Sequence, residues 1–305
     1  MELTVLLLRQ IAIMFILMGI GFIFYRRKLI TDEGSRDFAK VLINLVVPVV
    51  VLSNFCIEYT PEKGRDFLTS VIISTACMLL SVLLSRLVFH KRDRISEFSA
   101  AYPNTGFIGL PLVNAVLGSQ AVIHITMMVI YVNILQWTYG VYTITDDKST
   151  VSLRKIISNP VIFAFVLGLI IFFCQIPVPS FAKNIFSIIA GLNTPLAMIV
   201  SGVYLAQSDL LKMLKNTNSY LVTLMRLIVI PLATLVLIRF LPVGSLDMKM
   251  AILIASACSC GSNVAVFAQL YHKDYVSAVE QVCMSTVFSL ISIPLIISLA
   301  SLLLK

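Results

Sequence analysis

The chain has 305 residues, of which 59% are hydrophobic and only 12% charged, with a mean hydropathy of +0.97. A soluble domain is closer to half apolar and a quarter charged, so this chain has too few charges to cover a water-facing globule of its size. The balance excludes a soluble enzyme, a nucleic-acid-binding domain and a disordered chain; it leaves a membrane protein with short loops, whose net charge of +8 sits between apolar stretches.

Crossing the hydrocarbon takes about 20 mostly apolar residues. Ten such stretches are predicted, near 3–25, 36–57, 67–89, 95–117, 121–145, 158–175, 184–206, 219–240, 248–271 and 276–304. Glu2 and Arg9 open the first, which has no small-residue cleavage site and reads as a retained span, not a secretory signal. Span two reads LVVPVVVL around Pro48, with Asn44 before it, and span four contains PNTGFIGLP, from Pro103 to Pro111. The longest polar linker, 146–157, follows span five. Span seven reads LNTPLAMI, with Asn193 and Thr194 before Pro195, and span nine contains CGSNVAVFA, from Cys260 to Ala268. Pro231 and Pro294 read as plain kinks. The six cysteines (56, 77, 174, 258, 260 and 283) lie in or at the edges of apolar stretches, which argues against a disulfide framework. Cys258 and Cys260 lack nearby partners for a metal site and read as packing residues. No metal or cofactor is expected.

The connections orient the chain. One set of alternate loops carries 15 Lys and Arg, among them Arg26, Arg27, Lys28, Lys91, Arg92, Lys155 and Lys212, and the other carries 6, among them Lys63, Lys183 and Lys305. The richer side is expected to be cytoplasmic, which puts both termini of a ten-span chain outside.

The 146–157 linker divides the spans into residues 1–145 and 158–305, five each. An odd group size makes the second half enter the membrane from the opposite side, giving two inverted five-helix repeats if the halves are related. Internal similarity supports the relation. Pro48 and Pro195 hold the same place in their halves, and a shift of 157 residues lays Asn104, Thr105 and Gly106 on Gly261, Ser262 and Asn263.

Spans four and nine are where chemistry is expected. Pro103 cannot donate a backbone hydrogen bond, Gly106 and Gly109 loosen the same stretch, and Pro111 repeats the interruption. A break at membrane depth frees backbone groups, which is tolerated only inside protein or against a cavity. The new helix N-termini carry partial positive charge and suit an anion such as a carboxylate. Asn104, Thr105, Gly106, Gly261, Ser262 and Asn263 are therefore the expected binding residues. Asn44, Pro48, Asn193, Thr194 and Pro195 are scaffold-side candidates.

Charges inside spans are few, and such residues are usually functional. Arg226 is the deepest cation; it can counter a solute anion or bond the carbonyls freed by the breaks. Glu280, near the inner end of span ten, reads as a solvated anchor ahead of a substrate contact. No acid sits mid-span, unlike proton pumps and cation exchangers, and nothing resembles a nucleophile–base pair. An organic anion fits better than a metal cation.

SAAYPNTGFIGLPLV (99–113), STVFSLISIPL (285–295) and the looser SNVAVFAQLY (262–271) together resemble the auxin efflux carrier family in its bacterial form, over essentially the whole chain. The resemblance implies an all-α membrane fold in which helices 1, 2, 6 and 7 form a scaffold, often dimeric. Helices 3–5 and 8–10 form a transport unit, with broken helices four and nine crossing at the substrate site. It implies transport of dicarboxylates such as malate and malonate, or of auxin, with Asn104 and Asn263 as the two crossover asparagines. Many relatives have proline where this chain has Ser259, which implies a softer second break. A sodium-coupled organic-anion symporter of the bile-acid type is the main alternative; Thr105, Ser262, Asn263 and unwound carbonyls would then hold the ion. A non-transporting sensor is a further one.

Overall fold

The computed structural model describes residues 2–90, 92–151, 154, 158–208, 213 and 215–304. Among the basic residues used for orientation, Lys91, Lys155, Lys212 and Lys305 lie outside these, as does part of the 146–157 linker.

Every regular element among the described residues is helical. Among the described residues, six helices are long and apolar enough to cross a membrane: Leu8–Arg26, Pro61–Phe89, Ser119–Thr145, Ser180–Gln207, Thr217–Phe240 and Tyr275–Leu303. They overlap predicted spans one, three, five, seven, eight and ten. Pro160–Phe173, in span six, is a shorter apolar helix, and so is Thr105–Leu117, in the second part of span four.

In finer divisions, the first half runs α1 (Glu2–Arg26), α2 (Asp32–Val41), α3 (Val47–Ser53), α4 (Pro61–Phe89), α5 (Arg94–Ala101), α6 (Leu110–Leu117), α7 (Val122–Leu135) and α8 (Val141–Thr145). The second runs α9 (Pro160–Phe173), α10 (Ser180–Gly191), α11 (Asn193–Gln207), α12 (Thr217–Leu224), α13 (Ile230–Phe240), α14 (Leu246–Ser256), α15 (Asn263–Leu270) and α16 (Tyr275–Leu303). Side-chain caps start many of them: Thr31, Thr60, Asp93, Asn159, Ser245 and Asp274 each accept an N–H from the first turn.

Short π-helical turns join several pieces. Those at Leu42–Val46, Thr105–Gly109 and Met225–Val229 each end two residues before a proline, namely Pro48, Pro111 and Pro231. A proline ring collides with the carbonyl four residues back and supplies no N–H, and a wider turn relieves both. Pro231 is therefore more than the plain kink expected of it: it follows the turn that contains Arg226. Pro294 lies inside the continuous α16.

Packing is densest along α1 and α11, whose backbones touch. A methyl group at Gly21 would collide with the backbone of Ile199, and one at Gly202 with the Met18 carbonyl. Small residues that let helices approach this closely drive association where lipid leaves no hydrophobic force between them. The molecule is apolar outside as well as inside. Ile16, Phe163 and Phe181 stand exposed on α1, α9 and α10, as a lipid-facing surface requires. At the centre lies α14, with every residue from Met250 to Ser256 buried.

Candidate functional site

Two helices break and meet. α5 stops at Ala101, and helical structure resumes at Thr105; α14 stops at Ser256, and helix resumes at Asn263. The intervening extended segments form an isolated antiparallel bridge between Pro103 and Cys260. Asn104 N–H donates to the Ser259 carbonyl at 2.8 Å, and Gly261 N–H to the Tyr102 carbonyl at 2.9 Å. A methyl group on Gly261 would stand 3.2 Å from that Tyr102 oxygen, so glycine permits the approach. Cys260 N–H donates to Ser285 Oγ at 3.0 Å. Each break thus supplies partners for the other, meeting the demand that buried backbone be satisfied. The softer second break implied by Ser259 is not what forms. The interruption from 257 to 262 is longer than that from 102 to 104, because cross-bridge hydrogen bonds and Gly261 replace the missing proline.

Four helix ends converge here, and they are treated differently. The C-terminal ends of α5 and α14 present carbonyls with partial negative charge. Arg226, fully buried, serves both. Its Nη1 donates to the Ala100 carbonyl at 2.9 Å, the Ala101 carbonyl at 3.3 Å and Ser81 Oγ at 3.1 Å. Its Nη2 donates to the Ser256 carbonyl. Ser81 Oγ in turn donates to Ala101 at 2.7 Å. Of the two uses open to Arg226 from sequence, this geometry is the carbonyl brace. Arg226 does not line the cavity described next.

The N-terminal ends, at Thr105 and Asn263, face a cavity of about 50 Å³. Pro103, Asn104, Thr105, Gly106, Gly261, Ser262 and Asn263 all line it. The structure therefore brings together all six expected binding residues from positions about 157 apart in the chain. Asn104, Thr105 and Ser262 are buried. Asn104 Oδ1 accepts the Phe107 N–H at 3.4 Å, so this side chain also caps the helix it starts.

Two polar wall residues were not anticipated. Gln136 is 1% exposed, and its Oε1 accepts from Asn263 Nδ2 at 2.9 Å. Its Nε2 has no partner among the described residues. Asn133, one turn earlier, also lines the cavity. Amides in a span otherwise apolar were the available signal, but only the fold shows that they face the crossing.

Larger cavities flank the crossing at opposite ends. One, of about 530 Å³, is lined by Pro111, Lys183, Asn193 and Thr194. The other, of about 500 Å³, is lined by Arg36, Lys40, Asn44 and Tyr275. Asn193 reaches the break itself, donating from Nδ2 to the Gly106 carbonyl at 3.1 Å. Asn44 does not; its amide bonds the Lys40 carbonyl at 2.9 Å. Pro48 and Pro195 line none of these three cavities.

Glu280 is not the solvated anchor expected. It is 8% exposed and accepts from Asn216 Nδ2 at 2.7 Å, because Asn216, the N-cap of α12, stands against it. Glu97, at the start of α5, is buried too and accepts from the Tyr139 hydroxyl at 2.9 Å.

A lipid-exposed helical protein with two broken helices crossing between opposed cavities is built as a membrane transporter. The comparisons agree. The chain belongs to the membrane transport protein family, whose model matches residues 6–152 and 147–297, as the auxin-carrier-like motifs implied. Among its relatives is the "uncharacterized transporter YfdV" of Escherichia coli K12, 23% identical over 267 residues, covering 82% of this chain and 84% of that protein. An "uncharacterized transporter" of Methanothermobacter thermautotrophicus is 24% identical over 294 residues, covering 92% and 94%.

Proposed function

We propose that the protein is a secondary transporter of a small organic anion, a mono- or dicarboxylate of malate, malonate or auxin type, in the cytoplasmic membrane. Its ten spans form two inverted five-helix repeats, divided at the linker between residues 145 and 158. The two stretches matched by the family model, which meet at this linker, support the division. Helices 1, 2, 6 and 7 stand as the scaffold. The remaining six carry the crossing and move in an elevator-like manner, exposing it first to one flanking cavity and then to the other. The Lys183 end opens outward and the Arg36 end to the cytoplasm.

The observation that carries this reading is the asymmetry of the four helix ends. The two negative ends are already joined to a guanidinium, whereas the two positive ends face a cavity whose polar side chains are neutral amides and hydroxyls, set among apolar residues such as Val47, Phe107 and Val129. The uncompensated field in the cavity is positive, which favours an anion. Asn104 and Asn263 supply donors without a fixed charge to desolvate, so a solute binds and is released. Flux of labelled carboxylates in proteoliposomes, with sodium and pH gradients varied independently, tests it. Movement of malonate, malate or an indole carboxylate is expected; movement of none of a broad carboxylate panel sinks the reading.

A further inference from the structure

Secondary transporters with broken helices commonly place a coupling cation at the C-terminal ends of half-helices, where unwound carbonyls coordinate it. In this protein that place is taken. The carbonyls of Ala100 and Ala101 on one half-helix and Ser256 on the other converge on one guanidinium. The cation arrives on its own helix, from the π turn Met225–Val229. It is fully buried and has no carboxylate partner among the described residues. A buried charge is normally paired with an opposite charge. Here its counter-charges are backbone dipoles, as they would be for a bound metal ion.

We propose that Arg226 is a tethered replacement for a coupling cation, and that solute movement is consequently independent of sodium. The inference rests on the transport reading, but the structural part of it does not. A guanidinium that never leaves cannot carry the energy of an ion gradient. It also fixes both negative helix ends permanently, so the positive ends opposite are ready for an anion without prior ion binding. The sodium-coupled alternative would need its ion elsewhere.

Thermal unfolding of the purified protein tests the site without any substrate. Wild type should unfold at the same temperature in sodium chloride and in N-methyl-D-glucamine chloride at equal ionic strength. Arg226→Ala and Arg226→Gln should unfold earlier, and should recover most of the loss in sodium or dilute guanidinium but not in N-methyl-D-glucamine, which is too large to enter. Arg226→Lys, still carrying a cation, should show no sodium response. Stabilisation of wild type by sodium overturns the proposal, as does a neutral variant whose loss is the same in every salt; the latter makes Arg226 a brace only. If neither neutral variant accumulates, malonate uptake by wild-type proteoliposomes decides: equal rates with and without sodium support the proposal, and sodium-dependent rates overturn it. Absence of any carboxylate uptake would sink the transport reading instead, and the unfolding of wild type in sodium against N-methyl-D-glucamine then decides the site: equal temperatures support the proposal and stabilisation by sodium overturns it.

Discussion

Asn104 has two duties, and they separate by substitution. Its carbonyl oxygen caps the helix that begins at Thr105, and its amide N–H groups are the proposed solute donors. Asn104→Ala removes both, whereas Asn104→Ser keeps an acceptor for the cap. Losing a hydrogen bond to a charged ligand costs roughly 1.5–3 kcal/mol, or about ten- to 150-fold in affinity. Both variants should lose solute affinity in that range, but Asn104→Ser should unfold at a temperature nearer wild type. Isothermal titration and thermal unfolding read the two quantities separately. Asn263→Ala should weaken binding similarly. Gln136→Leu belongs to the same test. It leaves Asn263 Nδ2 without its present acceptor and removes the unpartnered Nε2 from the wall. Affinity should fall about tenfold or more if one charge-assisted bond is lost. Wild-type affinity in Gln136→Leu would show that the solute never reaches that wall.

At the scale of elements, glycine decides how close α1 and α11 come. Overpacking a close contact typically costs about 1–3 kcal/mol. The Cβ of Gly202→Val collides with the Met18 carbonyl, and its two methyl groups add bulk at the same contact, so a clear fall in unfolding temperature is expected. Gly19→Ala, where an added methyl meets nothing within 4 Å, should cost nothing. Equal behaviour of the two would mean that α1 and α11 are not held by this contact. The π turns make a second element-level point. The proline that follows the turns at Leu42–Val46, Thr105–Gly109 and Met225–Val229 is visible in the sequence, but the wide turn is the response of a packed helix to it, and the turn at Gln136–Gly140 forms with no proline after it. At Pro231 that response places Arg226. Closing the turn to a regular helix would rotate the residues before it by about 100°. Pro231→Ala should therefore lower the unfolding temperature about as much as Arg226→Gln does. An unchanged value would mean that the Arg226 hydrogen bonds hold the turn without the proline.

For the whole molecule, the proposed orientation and movement are each open to a direct chemical test. Single cysteines introduced beside Lys63 and Lys183 should react with impermeant thiol reagents in intact cells, and one beside Arg92 should not. The reverse pattern would invert the topology. Ala190 and Asn114, on α10 and α6, line the same flanking cavity. A bifunctional reagent joining cysteines at these two positions should arrest flux relative to the uncross-linked sample. Full flux after cross-linking would exclude a large displacement of α6 against α10.

The sequence by itself determined the solvent and the class. Apolar stretches of span length leave no other environment for this chain, and the motif at 99–113 pointed to the family that the family model then matched. It also placed the first break, because proline lacks an N–H and clashes with its helix wherever it stands, a local property readable without a fold. The second break, from Ser256 to Asn263, was legible in position but not in extent, since Gly261 gains its role from the Tyr102 carbonyl, far away in the chain. Only the tertiary structure decided between the two uses of Arg226, whose partners Ser81 and Ala100 lie 145 and 126 residues away. It likewise buried Glu280 under Asn216 and turned Gln136 toward Asn263. Such choices depend on which distant groups share a buried space, and no local pattern encodes that. What a broken backbone needs is written in the residues at the break, but which side chain satisfies it is set by the packing of the whole chain.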